Sequence, residues 1–247
     1  MGKLNVIDVL DDVLKYADDI FETVPKSMER NNVYILALLF SLYDTVNDIN
    51  HLTKAKRLLN IPSLVRNFMD SYIDLLLIQK DNDLIFHLLL NNSKNKLKAI
   101  QGKLKVENKL VFNYDSQQIK DLEKQKREIE SDNTELNKKI KRPLIKQIST
   151  KYEEVGMLWF YETIYNDLCS HTHNSLDMIE FRHIDQVNHD KVILKYCQEY
   201  DYKKYEWCYL LLLNYFHDSL VVGNQLLGLK KDIMISAIEN RISEYNK

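Results

Sequence analysis

The sequence predicts an all-α fold: a multi-helix bundle with a protruding, coiled-coil-like helical hairpin inserted into it. Three observations predict this. Only 5 glycines and 3 prolines punctuate the 247 residues, too few for the many tight turns of a barrel or sandwich. Apolar residues recur at helical spacing through most of the chain. Between residues 94 and 146 that pattern gives way to a heptad repeat on a basic segment. The bundle is accordingly assigned to residues 1–93 and 147–247, and the hairpin insertion to 94–146.

Ile7, Leu10, Val13, Leu14, Ala17, Ile20 and Phe21 set out the first helix, with acids on its other face. A second runs over about 31–50. Its 33–40 portion is apolar on every side and is expected at the centre of the body. The third begins at Asn60 or Ile61, with Pro62 tolerated in its first turn. It carries Leu64, Val65, Phe68, Met69, Ile73, Leu75, Leu76, Leu77 and Ile78, which predicts burial on several sides. Within this apolar helix Arg66 and Asp70 stand four residues apart on one face, with Asn67 and Asp74 near. A cation at a core position needs a partner, and Asp70 is the expected one. Such a pair either fixes packing or belongs to a site.

Residues 94–146 hold fifteen Lys and Arg against eight Asp and Glu, a net of +7 in a chain of net −2, which leaves −9 on the remainder. Ile119, Leu122, Ile129, Leu136 and Ile140 form a heptad seam whose other positions are Lys126 and Asn133. Leu97, Ile100, Leu104 and Leu110 supply the opposing arm. The charge suits RNA or an acidic protein partner. Interleaved acids and the scarcity of stacking aromatics equally suit a solvated spacer or an arm for homo-oligomerisation.

After Pro143 the chain returns to the body through Leu144, Ile148, Tyr152, Val155, Leu158 and Phe160. Residues 161–175 crowd polar, chemically capable side chains into a helical pattern. Taken as a regular helix over 157–180, His173 shares a face with Glu162, Asn166, Cys169, Ser170 and Asp177, and His171 points the other way. The two histidines therefore do not chelate one metal. The polar face is expected to meet Arg66 and Asp70, the matching polar stripe of the third helix. Residues 181–189 read as a polar loop, and 189–228 as a long aromatic-rich helix in which Gly223 marks a close approach and Gly228 an end. A last amphipathic helix covers 232–245.

Three cysteines, Cys169, Cys197 and Cys208, lack metal or redox spacing and read as reduced core thiols. No phosphate loop, nucleophile elbow or zinc motif occurs, so neither a cofactor nor a metal is expected. The N-terminus lacks signal-peptide character and no apolar run approaches a membrane span. The expectation is a cytoplasmic protein without membrane contact.

The block 66–70 (Arg-Asn-Phe-Met-Asp), followed after an insertion by Ile148-Ser149-Thr150-Lys151-Tyr152-Glu153-Glu154-Val155-Gly156, then Tyr161, Tyr165, Ser170 and His173, resembles a helical family. That family is bacterial and phage-associated and is catalogued only as a domain of unknown function. Its members carry a Tyr-x3-Tyr-x2-Leu-Ser-x2-His block, and Asp70 stands where they more often have Glu. The resemblance implies a site of Arg66, Asp70, Tyr165, Ser170 and His173. Such proteins are loosely similar to HEPN helical domains, which include metal-independent ribonucleases of toxins and phage defence. Those pair an Arg with a nearby following His, and here the match is Arg182 with His189.

Three functional readings follow. One is an interaction or sensor module with a buried Arg-Asp-Tyr-His network that fixes packing. Another is a metal-independent ribonuclease effector, with a histidine as acid or base and an arginine on phosphate. The third is a small-ligand or nucleotide pocket built from the same side chains.

Overall fold

The structure, a computed structural model, describes residues 5–25, 28–105, 114–141, 145, 147–172, 184–188, 191–194 and 202–245. It is an all-α multi-helix bundle, with one short β-hairpin. The helices are α1 (Val6–Phe21), α2 (Arg30–Lys54), α3 (Ile61–Lys80), α4 (Leu84–Lys105), α5 (Ser116–Lys139), α6 (Ile148–Glu154), α7 (Leu158–Phe160), α8 (Asn166–Thr172), α9 (Glu206–Leu227) and α10 (Asp232–Tyr245). The chain divides into two compact units, one of residues 1–79 with 149–247, the other of 80–148.

In the larger unit α1 packs on α2 and α10, and α9 packs on α2 and α10. Asn5 caps α1 by accepting from the Ile7 amide at 3.2 Å. The apolar stripe Val6, Val9, Leu10, Val13, Leu14, Ala17 and Ile20 is buried, as the helical period requires. Polar ties fix neighbouring helices. Asp11 accepts from Asn50 at 2.7 Å and Lys54 at 2.5 Å, and the Arg241 guanidinium donates to Asp12 at 2.7 Å. Phe68 of α3 meets Phe216 of α9 edge-on, ring centres 6.4 Å apart.

Gly223 lets α9 approach α2 closely. A Cβ built there would overlap the Leu39 side chain, which is itself buried. Gly223→Ala is therefore expected to destabilise by about 1–3 kcal/mol through overpacking, measurable as a lowered urea midpoint. Gly228 ends α9 in the left-handed conformation, φ 62°, where glycine carries no steric penalty. Asn224 then holds the turn, accepting from the Lys231 amide and donating to Asp232, both at 2.9 Å.

Two expectations need correction. The 33–40 portion of α2 is not central on all sides: Val33 is 48% and Phe40 40% exposed, while Ile35 and Leu39 are buried. An apolar run leaves one face of a helix uncovered when its neighbours occupy only the other. The region expected as a loop and then a helix from 189 instead contains an antiparallel hairpin of β1 (Ile184–Asn188) and β2 (Lys191–Leu194), with Ile184 paired to Leu194 and Gln186 to Val192. Valine and isoleucine in runs this short are compatible with either period, and strand pairing decided between them. The long helix starts only at Glu206, after a 3-10 turn at Tyr202–Tyr205.

In the smaller unit α4 and α5 pack as an antiparallel pair. Lys139 at the end of α5 lies over the Phe86 ring near the start of α4, 5.2 Å from its centre, and Lys141 pairs with Asp83 at 3.0 Å. Asp115 and Gln118 cap α5 reciprocally, satisfying donors at its first turn. From Leu122 to Ile140, the seam positions are the ones not fully exposed.

Candidate functional site

The site begins with a polar stripe on α3. Arg66, Asp70 and Asp74 recur every fourth residue, so they line one face of a helix whose other residues are mostly apolar. Facing them is the segment 148–172. Its first part, α6, carries Lys151 and Tyr152 and stops at Gly156, φ 76°. The Met157 amide reaches back to the Tyr152 carbonyl at 2.7 Å and the Gly156 amide to Glu153 at 2.9 Å. This is the double hydrogen bond of a Schellman cap, and it explains the glycine closing the 148–156 block.

The chain then re-enters a helix whose middle, Tyr161–Tyr165, is a π-turn between α7 and α8. Single π-turns within helices often lie at functional positions, and this one coincides with the Tyr-x3-Tyr block. Tyr161 and Tyr165 stack at 5.1 Å between ring centres. Tyr152, fully buried, packs against Phe160, Tyr161 and Tyr165 at 5.9, 5.6 and 5.3 Å.

Arg66 and Asp70 do not meet directly; Tyr165 stands between them. Arg66 Nε donates to the Tyr165 hydroxyl at 3.1 Å, and that hydroxyl donates to Asp70 Oδ2 at 3.4 Å. The guanidinium carbon lies 5.4 Å from the Tyr165 ring centre, within cation–π range. One turn along, Lys151 Nζ pairs with Asp74 Oδ1 at 2.6 Å. Asp70 Oδ1 and the Tyr152 hydroxyl are buried and accept or donate no hydrogen bond among the described residues.

Burial governs the protonation of this cluster. It raises the Asp70 carboxyl above its ordinary value despite the lowering influence of Arg66, Tyr165 and Lys151. It also raises Asp74 against Lys151. Tyr165 is pushed up to about 12 by burial, with the Asp70 charge adding to it and Arg66 opposing. Tyr152 is pushed higher still by burial and by Asp70. The hydrogen bond to Tyr165 is the main cause of the raised Arg66 value. Both tyrosines hold their protons at neutral pH, and Tyr165 serves as a donor.

Of the residues expected here, Arg66, Asp70 and Tyr165 come together. Ser170 is half-buried, and its hydroxyl donates to the Asp167 carbonyl on its own helix at 2.7 Å. His173, Arg182 and His189 lie outside the described residues, as do Cys197 and Asp177. His171 is half-buried. Of the polar face expected to meet α3, Glu162 and Asn166 are exposed and Cys169 and Ser170 half-buried, while Tyr165 and Leu168 are buried. The aromatic face wins burial over the polar one. Lys151 and Tyr152 were not singled out in advance. The signal for them was the third step of the α3 stripe, Asp74, which calls for a cation opposite. Among the described residues no group of His, Cys, Asp or Glu is placed to hold a metal ion, and no helix is long and apolar enough to cross a membrane.

Neither the curated proteins nor the solved structures contain a match to this chain. A family model does match, over residues 32–192. That span holds the α3 stripe, the Gly156 cap and the π-turn with its two tyrosines, and on it the chain belongs to DUF5677, a family of unknown function.

Proposed function

We propose that the chain is a helical interaction module that recognises an anionic group at Arg66, in a sensing role such as bacterial stress or phage defence. The observation supporting this is the posture of the guanidinium. Its Nε is tied to Tyr165 and its carbon sits beside the ring, while its two terminal nitrogens make no hydrogen bond to a described residue. Arg66 is half-exposed. A planar fork held from behind in this way is suited to bidentate contact with a carboxylate or phosphate. Tyr165 retains its proton, so it positions the arginine and does not act as a base.

Thermal melts of the whole chain with inorganic phosphate, a nucleoside monophosphate and a phosphopeptide test this reading. A phosphorylated probe should raise the melting temperature of the wild type, since a ligand that binds only the folded state stabilises it. Arg66→Gln should abolish the response. The ribonuclease alternative rests on His173, or on Arg182 with His189, as acid–base groups, and is tested alongside with single-stranded RNA. Cleavage of RNA that disappears in His173→Ala or Arg66→Gln would overturn the binding reading, as would the absence of any response to all three probes.

A further inference from the structure

The α4–α5 hairpin leaves its seam half-covered. Of the α5 seam only Asn133 is buried; Leu122, Lys126, Ile129, Leu136 and Ile140 remain half-exposed, and Ile119 is 41% exposed. A heptad seam left this open on a two-helix hairpin is covered more completely when two such hairpins assemble into a four-helix bundle. The pattern along the seam identifies what completes it. Read outward from Ile129 along the helix, both directions give a polar position and then an apolar one: Lys126 then Leu122 one way, Asn133 then Leu136 the other.

We infer that α5 docks antiparallel on α5 of a second copy of this chain, centred on Ile129, to form a four-helix bundle of two hairpins. In this register Ile129 meets Ile129 and Leu122 meets Leu136, while Ile119 lies opposite the end of the partner helix. Each polar layer pairs Lys126 of one copy with Asn133 of the other. A parallel arrangement would instead set Lys126 against Lys126, a like-charge contact in a desolvated seam. Asn133 Oδ1 has no hydrogen-bond partner among the described residues, and Lys126 supplies donors in the same layer. A polar residue at one seam position fixes register and orientation at some expense in affinity. The 24 residues of α5 give a contact of about 36 Å, enough for the seam from Ile119 to Leu136.

Sedimentation equilibrium of the full chain tests the arrangement. The wild type should be a concentration-dependent dimer. Asn133→Lys sets lysine against Lys126 across the two-fold axis and should weaken association roughly a hundredfold. Lys126→Glu combined with Asn133→Lys should restore it, because each new Glu faces a new Lys only in the antiparallel register. Ile119→Lys, at an exposed seam position, should weaken the dimer while leaving the circular dichroism spectrum unchanged. A wild type that stays monomeric at all concentrations overturns the proposal. So does a dimer indifferent to both Asn133→Lys and Ile119→Lys, or a double variant that fails to recover while retaining its helical spectrum.

Discussion

Tyr152→Ala is expected to lower the stability of the larger unit by about 3–5 kcal/mol, while Tyr152→Phe should be neutral or stabilising. The ring is fully buried and touches Phe160, Tyr161 and Tyr165. Removing it opens a cavity at the point where α6, the π-turn and α3 converge, and aromatic pairs contribute beyond their buried area. The hydroxyl is a different matter. It is buried and without a hydrogen-bond partner among the described residues, so the phenylalanine variant discards a desolvated polar group whose burial costs roughly 1–3 kcal/mol. Urea melts of the two variants against wild type measure both signs. A loss of more than about 1 kcal/mol in Tyr152→Phe would mean that the hydroxyl has a partner, and that Tyr152 belongs to the polar relay.

The second prediction concerns that relay. Arg66→Ala should destabilise by about 1–3 kcal/mol, because Asp70 is left half-satisfied in a low-dielectric setting. Arg66→Met with Asp70→Leu should recover much of the loss, since replacing both partners by apolar groups removes the stranded charge. The coupling between Arg66 and Asp70 should fall sharply in a Tyr165→Phe background, where the intervening hydroxyl is gone. Double-mutant cycles in the two backgrounds measure this, and equal coupling in both would mean that the two side chains meet without Tyr165. The pH dependence has a defined sign. Burial raises the Asp70 carboxyl in the folded state, so the folded chain takes up this proton at a higher pH than the unfolded one. The contribution is complete below the unfolded value of about 3.9 and is lost as pH rises through the folded value. Wild type should therefore gain stability relative to Asp70→Asn as the pH is lowered from neutral. Asp74 is raised in the same direction, and both chains share its contribution.

Much of the architecture is legible in the order of residues. Helical spacing places the core of α1 and α3, and Gly223 and Gly228 announce a close approach and a helix end that the structure contains. The heptad from Leu122 to Ile140 marks the less exposed side of α5. These features depend on local periodicity and backbone sterics, which a few residues suffice to encode. The Arg66 and Asp70 stripe, and Tyr165 as a member of the same cluster, are also visible, because ionisable groups inside an apolar helix must be matched by something.

What only the tertiary structure decided is how those groups are matched. In the segment that contains the π-turn, Tyr165 and Leu168 are buried, and Glu162 and Asn166 are left exposed. Helical spacing separates the aromatic face from the polar one but does not by itself decide which of them is buried. Tyr165 then intervenes between Arg66 and Asp70, and Lys151 answers Asp74 from a helix 77 residues further along the chain. The β-hairpin at 184–194 likewise depends on pairing between two segments, each too short to declare its own period. Local sequence sets what each segment can form, whereas the competition of aromatic and polar faces for the same buried surface is settled only when the segments meet.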